Sequence, residues 1–236
     1  MTQETLFPFP PAAVSSLPVL NSDQRFPVRH IYCVGRNYAA HAREMGVDPT
    51  REPPLFFTKP AFAIVQDGAQ ISYPLATADL HHEVELVLAL GDNLPREGAA
   101  NLDLASADAA IWGWAVGIDL TRRDLQARAK AAGQPWDAAK GFDQSAPCGT
   151  ITRRSDLETV SGAIRLWVGD DLRQSASLSD MIWSPAQIVA EASKLWRLAP
   201  GDLIYTGTPE GVGAVARGQT LKASIDRLSP LTVDLI

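Results

Sequence analysis

The run His82-Glu83-Val84-Glu85-Leu86-Val87-Leu88-Ala89-Leu90 decides how this chain is read. On an extended strand, residues i and i+2 share a face, so Glu83 and Glu85 point one way while Val84 and Leu86 point into the core. A Glu-x-Glu pair on a strand is ordinarily a solvated face. Here the Val- and Leu-rich continuation, closed by Gly91-Asp92, argues for a strand in the interior. Two carboxylates held at such range repel each other unless something positive sits between them.

Outward from this strand, a third acid, Asp119, closes the longest apolar run of the chain, residues 109–118. An aspartate there is either the N-cap of a following helix or a ligand. Glu83, Glu85 and Asp119 together are hard oxygen donors with no Cys among them. His81 and His82, at the start of the strand, read as structural. Such a set suits Mg²⁺ or Mn²⁺, with Ca²⁺ as a third candidate, and does not suit zinc.

The spacing of apolar residues and turn formers predicts further strands at 30–34, 55–58, 63–65, 70–73, 109–119, 164–168, 203–206, 220–225 and 232–235. Helices are expected at 37–45, 121–132 and 185–198. The last has the clearest start, with Ser184 as N-cap, Pro185 in the first turn and Gln187 completing a capping box. Strands outnumber helices and mostly follow one another directly, the pattern of an α+β, mostly β fold and not of a doubly wound sheet. Residues 1–25 are Pro-rich and read as an N-terminal arm, and 26–236 as one catalytic domain.

The 236 residues, 46% hydrophobic and 20% charged, are an ordinary globular composition. A net charge of −6 with no basic stripe argues against nucleic acid or an anionic membrane as partner. The longest apolar run is about half a membrane span. The N-terminal segment has no basic n-region and is broken by prolines, unlike a signal peptide. Cys33 and Cys148, far apart and in no metal-like spacing, read as free thiols. A soluble cytoplasmic protein is expected.

Five segments in order carry a more specific message: Tyr32-Cys33-Val34-Gly35-Arg36-Asn37-Tyr38, His81-His82-Glu83-Val84-Glu85, Gly117-Ile118-Asp119-Leu120-Thr121, Ala139-Lys140-Gly141-Phe142-Asp143, and Thr206-Gly207-Thr208-Pro209-Glu210-Gly211-Val212-Gly213. Their order and spacing resemble the fumarylacetoacetate hydrolase family, within it the branch that hydrolyses acylpyruvates and fumarylpyruvate. The resemblance implies a mixed β-roll, a homodimer, and Mg²⁺ or Mn²⁺ held by Glu83, Glu85 and Asp119. It implies that Lys140 supplies positive charge beside the metal, and that His41 and Glu44 form a water-activating dyad. It implies further that Arg123, Gln126 and Thr208 contact the substrate, a small dioxo acid. The glycine-rich turn at 206–213 lacks Gly-Lys-Ser/Thr and is no phosphate loop.

The expected reaction is hydrolysis of the C–C bond of a 2,4-dioxo acid. Fumarylpyruvate, cleaved to fumarate and pyruvate as in gentisate breakdown, is the expected substrate. Its second carboxylate needs another cation, for which Arg36, Arg123 and Lys59 are the candidates. The alternatives are a general acylpyruvase, an oxaloacetate decarboxylase and, in a different class, a non-catalytic cation-binding module.

Overall fold

The computed structural model describes residues 8–39 and 53–236. Strand Val84–Leu90 lies inside a six-stranded mixed sheet, and all its residues are buried. Across that sheet the order is Thr152–Arg153, Ile111–Ile118, Val84–Leu90, Asp202–Tyr205, His30–Gly35 and Leu55–Lys59. Asp202–Tyr205 and His30–Gly35 are parallel, and the other neighbours are antiparallel.

The period of two explains why the central strand is apolar throughout. Val84, Leu86, Leu88 and Leu90 enter the larger core. There they meet Ile164, Leu166, Leu221 and Val233 of a five-stranded sheet, and Ile188 and Val189 of helix Pro185–Leu195. Val87 and Ala89 enter a second core with Ile31, Cys33, Leu203 and Tyr205. Leu17, Val19, Phe26 and Val28 complete this second core. They come from a hairpin in which Ser16–Pro18 pairs with Arg25–Pro27. Part of the segment expected as an extended arm is therefore paired and packed. Glu83 and Glu85 fall on the parity of Val87 and Ala89, so their face is covered and the solvated reading does not apply.

Several elements differ from the sequence reading. The strand expected at 82–90 is two strands, Leu80–His82 and Val84–Leu90, with Glu83 at the break. Residues 109 and 110 end a helix, Leu104–Ala110, capped by Asp103; only Ile111–Ile118 is strand. Thr121 and Arg122 pair with Leu80–His82, and the helix begins at Arg123. Asp119 is thus not its N-cap. Helix Pro185–Leu195 stops short of 198 but carries the predicted capping box in full. Strand Asp171–Ser177 and helix Asp137–Lys140 were not expected. Of the helix expected at 37–45, most lies outside the described residues. Among the described residues, no helix is long and apolar enough to cross a membrane, and Cys33 and Cys148 are free and buried.

Gly117 shows how tightly the strand bearing Asp119 is seated. A Cβ there would lie 2.5 Å from Val87 Cγ2 and 2.6 Å from Tyr205 Cε1. Tyr205 cannot withdraw freely, since its hydroxyl donates to Pro147 O at 3.1 Å. Gly117→Ala should lower the unfolding free energy by about 1–3 kcal/mol, the usual cost of overpacking. Urea unfolding checks this, with a shifted midpoint and an unchanged slope.

Candidate metal centre and substrate cleft

Glu83, at the strand break, and Glu85, two residues on, present carboxylates on one face. Asp119 follows Ile111–Ile118, the antiparallel neighbour, and its N–H donates to Glu83 O at 2.8 Å. The pairing of two neighbouring strands therefore brings the three acids together. One carboxylate oxygen from each lies within 4.8 Å of the others, and all three residues are buried.

Among the described residues, three lysine and arginine side chains make contacts that offset this charge. Lys140 Nζ donates to Glu83 Oε2 at 2.8 Å, to Asp119 Oδ2 at 2.6 Å and to Thr121 Oγ1 at 2.6 Å. Arg123 Nη2 donates to Glu83 Oε1 at 2.5 Å. Lys59 Nζ lies 2.8 Å from Asp119 Oδ1 and donates to Leu120 O at 3.1 Å and to Lys140 O. Burial works against the charge on Lys140, but Asp119 and Glu83 raise its pKa above the ordinary lysine value. The two carboxylates it faces favour its charged form.

Glu85 is the exception. It accepts a hydrogen bond from Gly207 N at 2.7 Å, but among the described residues no cation is paired with it. Burial first, then the carboxylates of Asp119 and Glu83, push its carboxyl well above the usual range. Asp119 Oδ1 is also buried and accepts no hydrogen bond, its contact with Lys59 being an ion pair without hydrogen-bond alignment. An unpaired carboxylate, a buried oxygen without a donor, and three hard ligands at close range fit a divalent cation of the Mg²⁺ or Mn²⁺ type.

The acids open into a cleft lined by Arg36, Phe57, Arg123, Gln126, Trp136 and Thr208, with Glu83, Glu85 and Lys140 at its floor. Arg36 reaches the cleft from a left-handed backbone conformation, φ 65°. For a residue with a Cβ that conformation costs on the order of 1 kcal/mol, and such strain tends to collect at functional sites. Arg123 Nη1 donates to Gln126 Oε1 at 2.5 Å, which leaves the amide N–H₂ of Gln126 as the group with hydrogens to give.

A family model for the C-terminal domain of fumarylacetoacetate (FAA) hydrolase matches residues 30–236. The chain belongs to the fumarylacetoacetate hydrolase family. A fumarylpyruvate hydrolase from Ralstonia sp is 37% identical over 187 residues, 79% of this chain and 95% of that protein. A mitochondrial oxaloacetate tautomerase from Rattus norvegicus is 41% identical over 200 residues, 84% of this chain and 87% of that protein. The crystal structure of fumarylpyruvate hydrolase from Pseudomonas aeruginosa in complex with Mn²⁺ and pyruvate superposes with a TM-score of 0.93 at 47% identity. It covers 98% of this chain and 99% of its own.

Within the family frame, the structure brings together Arg36, Glu83, Glu85, Asp119, Arg123, Gln126, Lys140 and Thr208 in one place. His41 and Glu44 lie outside the described residues. Lys59 is not a grip for a distant substrate carboxylate: its Nζ is ion-paired with Asp119 and donates to Leu120 O and Lys140 O, and its side chain is fully buried. It braces the acids. Sequence reasoning missed Phe57 and Trp136, whose rings stand 6.1 Å apart at the wall of the cleft. It also missed the clamp made by Asn37, which donates to Thr206 O at 2.8 Å and accepts from Trp183 N at 2.7 Å. Its place in the Gly-Arg-Asn-Tyr segment was the available signal.

Glu85→Gln separates the two roles of this site. It removes a carboxyl whose raised pKa costs stability at any pH above its ordinary value, while keeping an acceptor for Gly207 N, so near neutral pH the chelated variant should melt above the chelated wild type. Mn²⁺ should raise the melting temperature of the wild type in a concentration-dependent way and leave the variant unmoved. Scanning fluorimetry with and without chelator reads both. A wild type indifferent to Mn²⁺ and Mg²⁺ would refute the metal centre.

Proposed function

We propose that this chain is a divalent-metal-dependent hydrolase that cleaves the C3–C4 bond of an acylpyruvate, with fumarylpyruvate as preferred substrate. The observation that carries the reading is the buried Glu83, Glu85, Asp119 cluster opening into a cleft whose polar lining is donor-rich. The Pseudomonas aeruginosa enzyme, 47% identical, is a fumarylpyruvate hydrolase in complex with Mn²⁺ and pyruvate, the product common to all acylpyruvates.

A cation held by the three acids supplies Lewis-acid polarisation of the keto acid oxygens. The chain's own groups do the rest. Thr208 and Arg123 orient the pyruvyl end. His41, made more basic by Glu44, takes a proton from water, and the hydroxyl adds to C4. Gln126 donates to the oxygen that becomes negative there, while Lys140 provides unvarying positive charge beneath it. The C3–C4 electron pair leaves into the pyruvyl unit as an enolate, which takes a proton at C3. The products are a carboxylate and pyruvate. A homodimer in the cytoplasm is part of the same reading.

One observation favours a second reading. The oxaloacetate tautomerase relatives are as similar as the hydrolase ones, 41% against 37% identity. Tautomerisation moves protons without breaking a C–C bond or consuming water, so product analysis separates the two.

Purified protein with Mn²⁺ or Mg²⁺ should convert fumarylpyruvate to equal amounts of fumarate and pyruvate and lose this activity on chelation. His41→Ala and Glu44→Ala should each lower kcat by about 10²–10⁴-fold. Arg36→Ala should penalise fumarylpyruvate more than acetylpyruvate, because only the former has a second carboxylate to grip, whereas Arg123→Ala should penalise both. Oxaloacetate tautomerised without release of a second acid, and no cleavage of either acylpyruvate, would move the assignment to the tautomerase.

A further inference from the structure

Gln174 is the single fully buried residue of Asp171–Ser177, an edge strand of the five-stranded sheet. The pairing with Ala163–Val168 slips beside it: Leu166 faces Gln174 while Trp167 faces Leu172, so Arg173 is an extra residue. Such a bulge turns the following side chain off the sheet's regular alternation. The glycine-rich turn packs directly on it. At Gly211, φ 87°, a Cβ would fall 2.2 Å from Arg173 O. The turn and the bulge thus fit each other at backbone distance, which places Gln174 under Thr208.

The amide of Gln174 can be read without ambiguity, because backbone groups fix both its ends. Val84 N–H, which can only donate, meets Oε1 at 3.1 Å. Pro209 O, which can only accept, meets Nε2 at 2.9 Å. Oε1 is therefore the oxygen and Nε2 the nitrogen. Two consequences follow. His82 Nδ1, 2.9 Å from Oε1, must carry a hydrogen whatever the charge of the ring. Thr208 Oγ1, 2.8 Å from Nε2, must accept from it, so the hydroxyl's own hydrogen points elsewhere. Thr208 lines the cleft.

We propose that Gln174 is a positioning residue that turns the Thr208 hydroxyl to donate its hydrogen to the cleft, favouring a carboxylate at that position. A free threonine hydroxyl gives or accepts equally well. Once one lone pair of Oγ1 is taken by the amide N–H, the hydroxyl hydrogen is directed away from Gln174 and toward the cleft, where an anionic oxygen takes it best. The strands Leu80–His82 and Val84–Leu90, which flank Glu83, anchor the other end of the same amide through His82 and Val84. The orientation of Thr208 is in this way referenced to the metal-binding acids themselves. The inference rests on the proposed reading of the cleft as a keto-acid site.

Two measurements test it. In the wild-type protein without ligand, ¹⁵N shifts of His82 should show hydrogen on Nδ1. A ring protonated on Nε2 alone would mean that the amide is reversed and would overturn the proposal. In the second, pyruvate binding is titrated in the presence of Mn²⁺ for wild type, Gln174→Met, Thr208→Val and the double variant. Gln174→Met should weaken pyruvate about 10-fold, the scale of a hydrogen bond to a charged group. In the Thr208→Val background the same change should weaken it less than about 2-fold, since the residue acts through Thr208. Equal losses in both backgrounds would show that Gln174 only supports the strand, and the proposal would fall. If Gln174→Met does not fold, the His82 signature decides alone. A wild type with the expected His82 signature that binds no pyruvate would overturn the proposed function and, with it, the ligand assigned to Thr208.

Discussion

Three carboxylates within 4.8 Å of one another in the interior are the constraint around which this molecule is organised. At an effective dielectric constant of about 20, each such pair repels by roughly 3 kcal/mol, a large share of the stability of an ordinary domain. The fold answers with cations that arrive from three separate places: Lys59 from an edge strand of the central sheet, Lys140 from a one-turn helix, and Arg123 from the helix that follows Asp119. None is an ornament of the surface. Lys59 and Lys140 are as buried as the acids they face. The short helix and the hairpin that roofs the second core both read as parts of one enclosure.

The legibility of this arrangement in the sequence followed the range of the interactions. The parity of Glu83 and Glu85 is local, and so was plain. The end of helix Pro185–Leu195 slipped, but its start, fixed by three adjacent residues, did not. Asp119 could be placed at the end of an apolar run, although the run itself begins with two helical alanines that composition cannot tell from strand. Lys59 was misread because its partners lie 61 and 81 positions away, and a lysine in Phe-Phe-Thr-Lys-Pro gives no local sign that its charge is spent inside. Strand Asp171–Ser177 was invisible for a related reason: an edge strand with one buried residue has no alternation to detect.

The two cores divide the labour around the site. The larger one, between the two sheets, sets where the strands run. The smaller one, under the Ser16–Pro18 and Arg25–Pro27 hairpin, sets what the acid-bearing face is covered with. That division explains how a strand apolar on both faces can carry Glu85, with Glu83 just before its start. Water is kept from the base of the site by aliphatic packing, while the glycine turn and Asn37 close it from the side.

The lysines have a consequence for how the protein meets its metal. Many small metal-binding domains collapse into order only when the ion arrives, because nothing else holds their ligands together. Here two ammonium groups already sit among the acids, so the ligands are gathered before any ion is present. An ion entering such a site would meet acids already clustered, and what it would displace is an ammonium contact and not disorder.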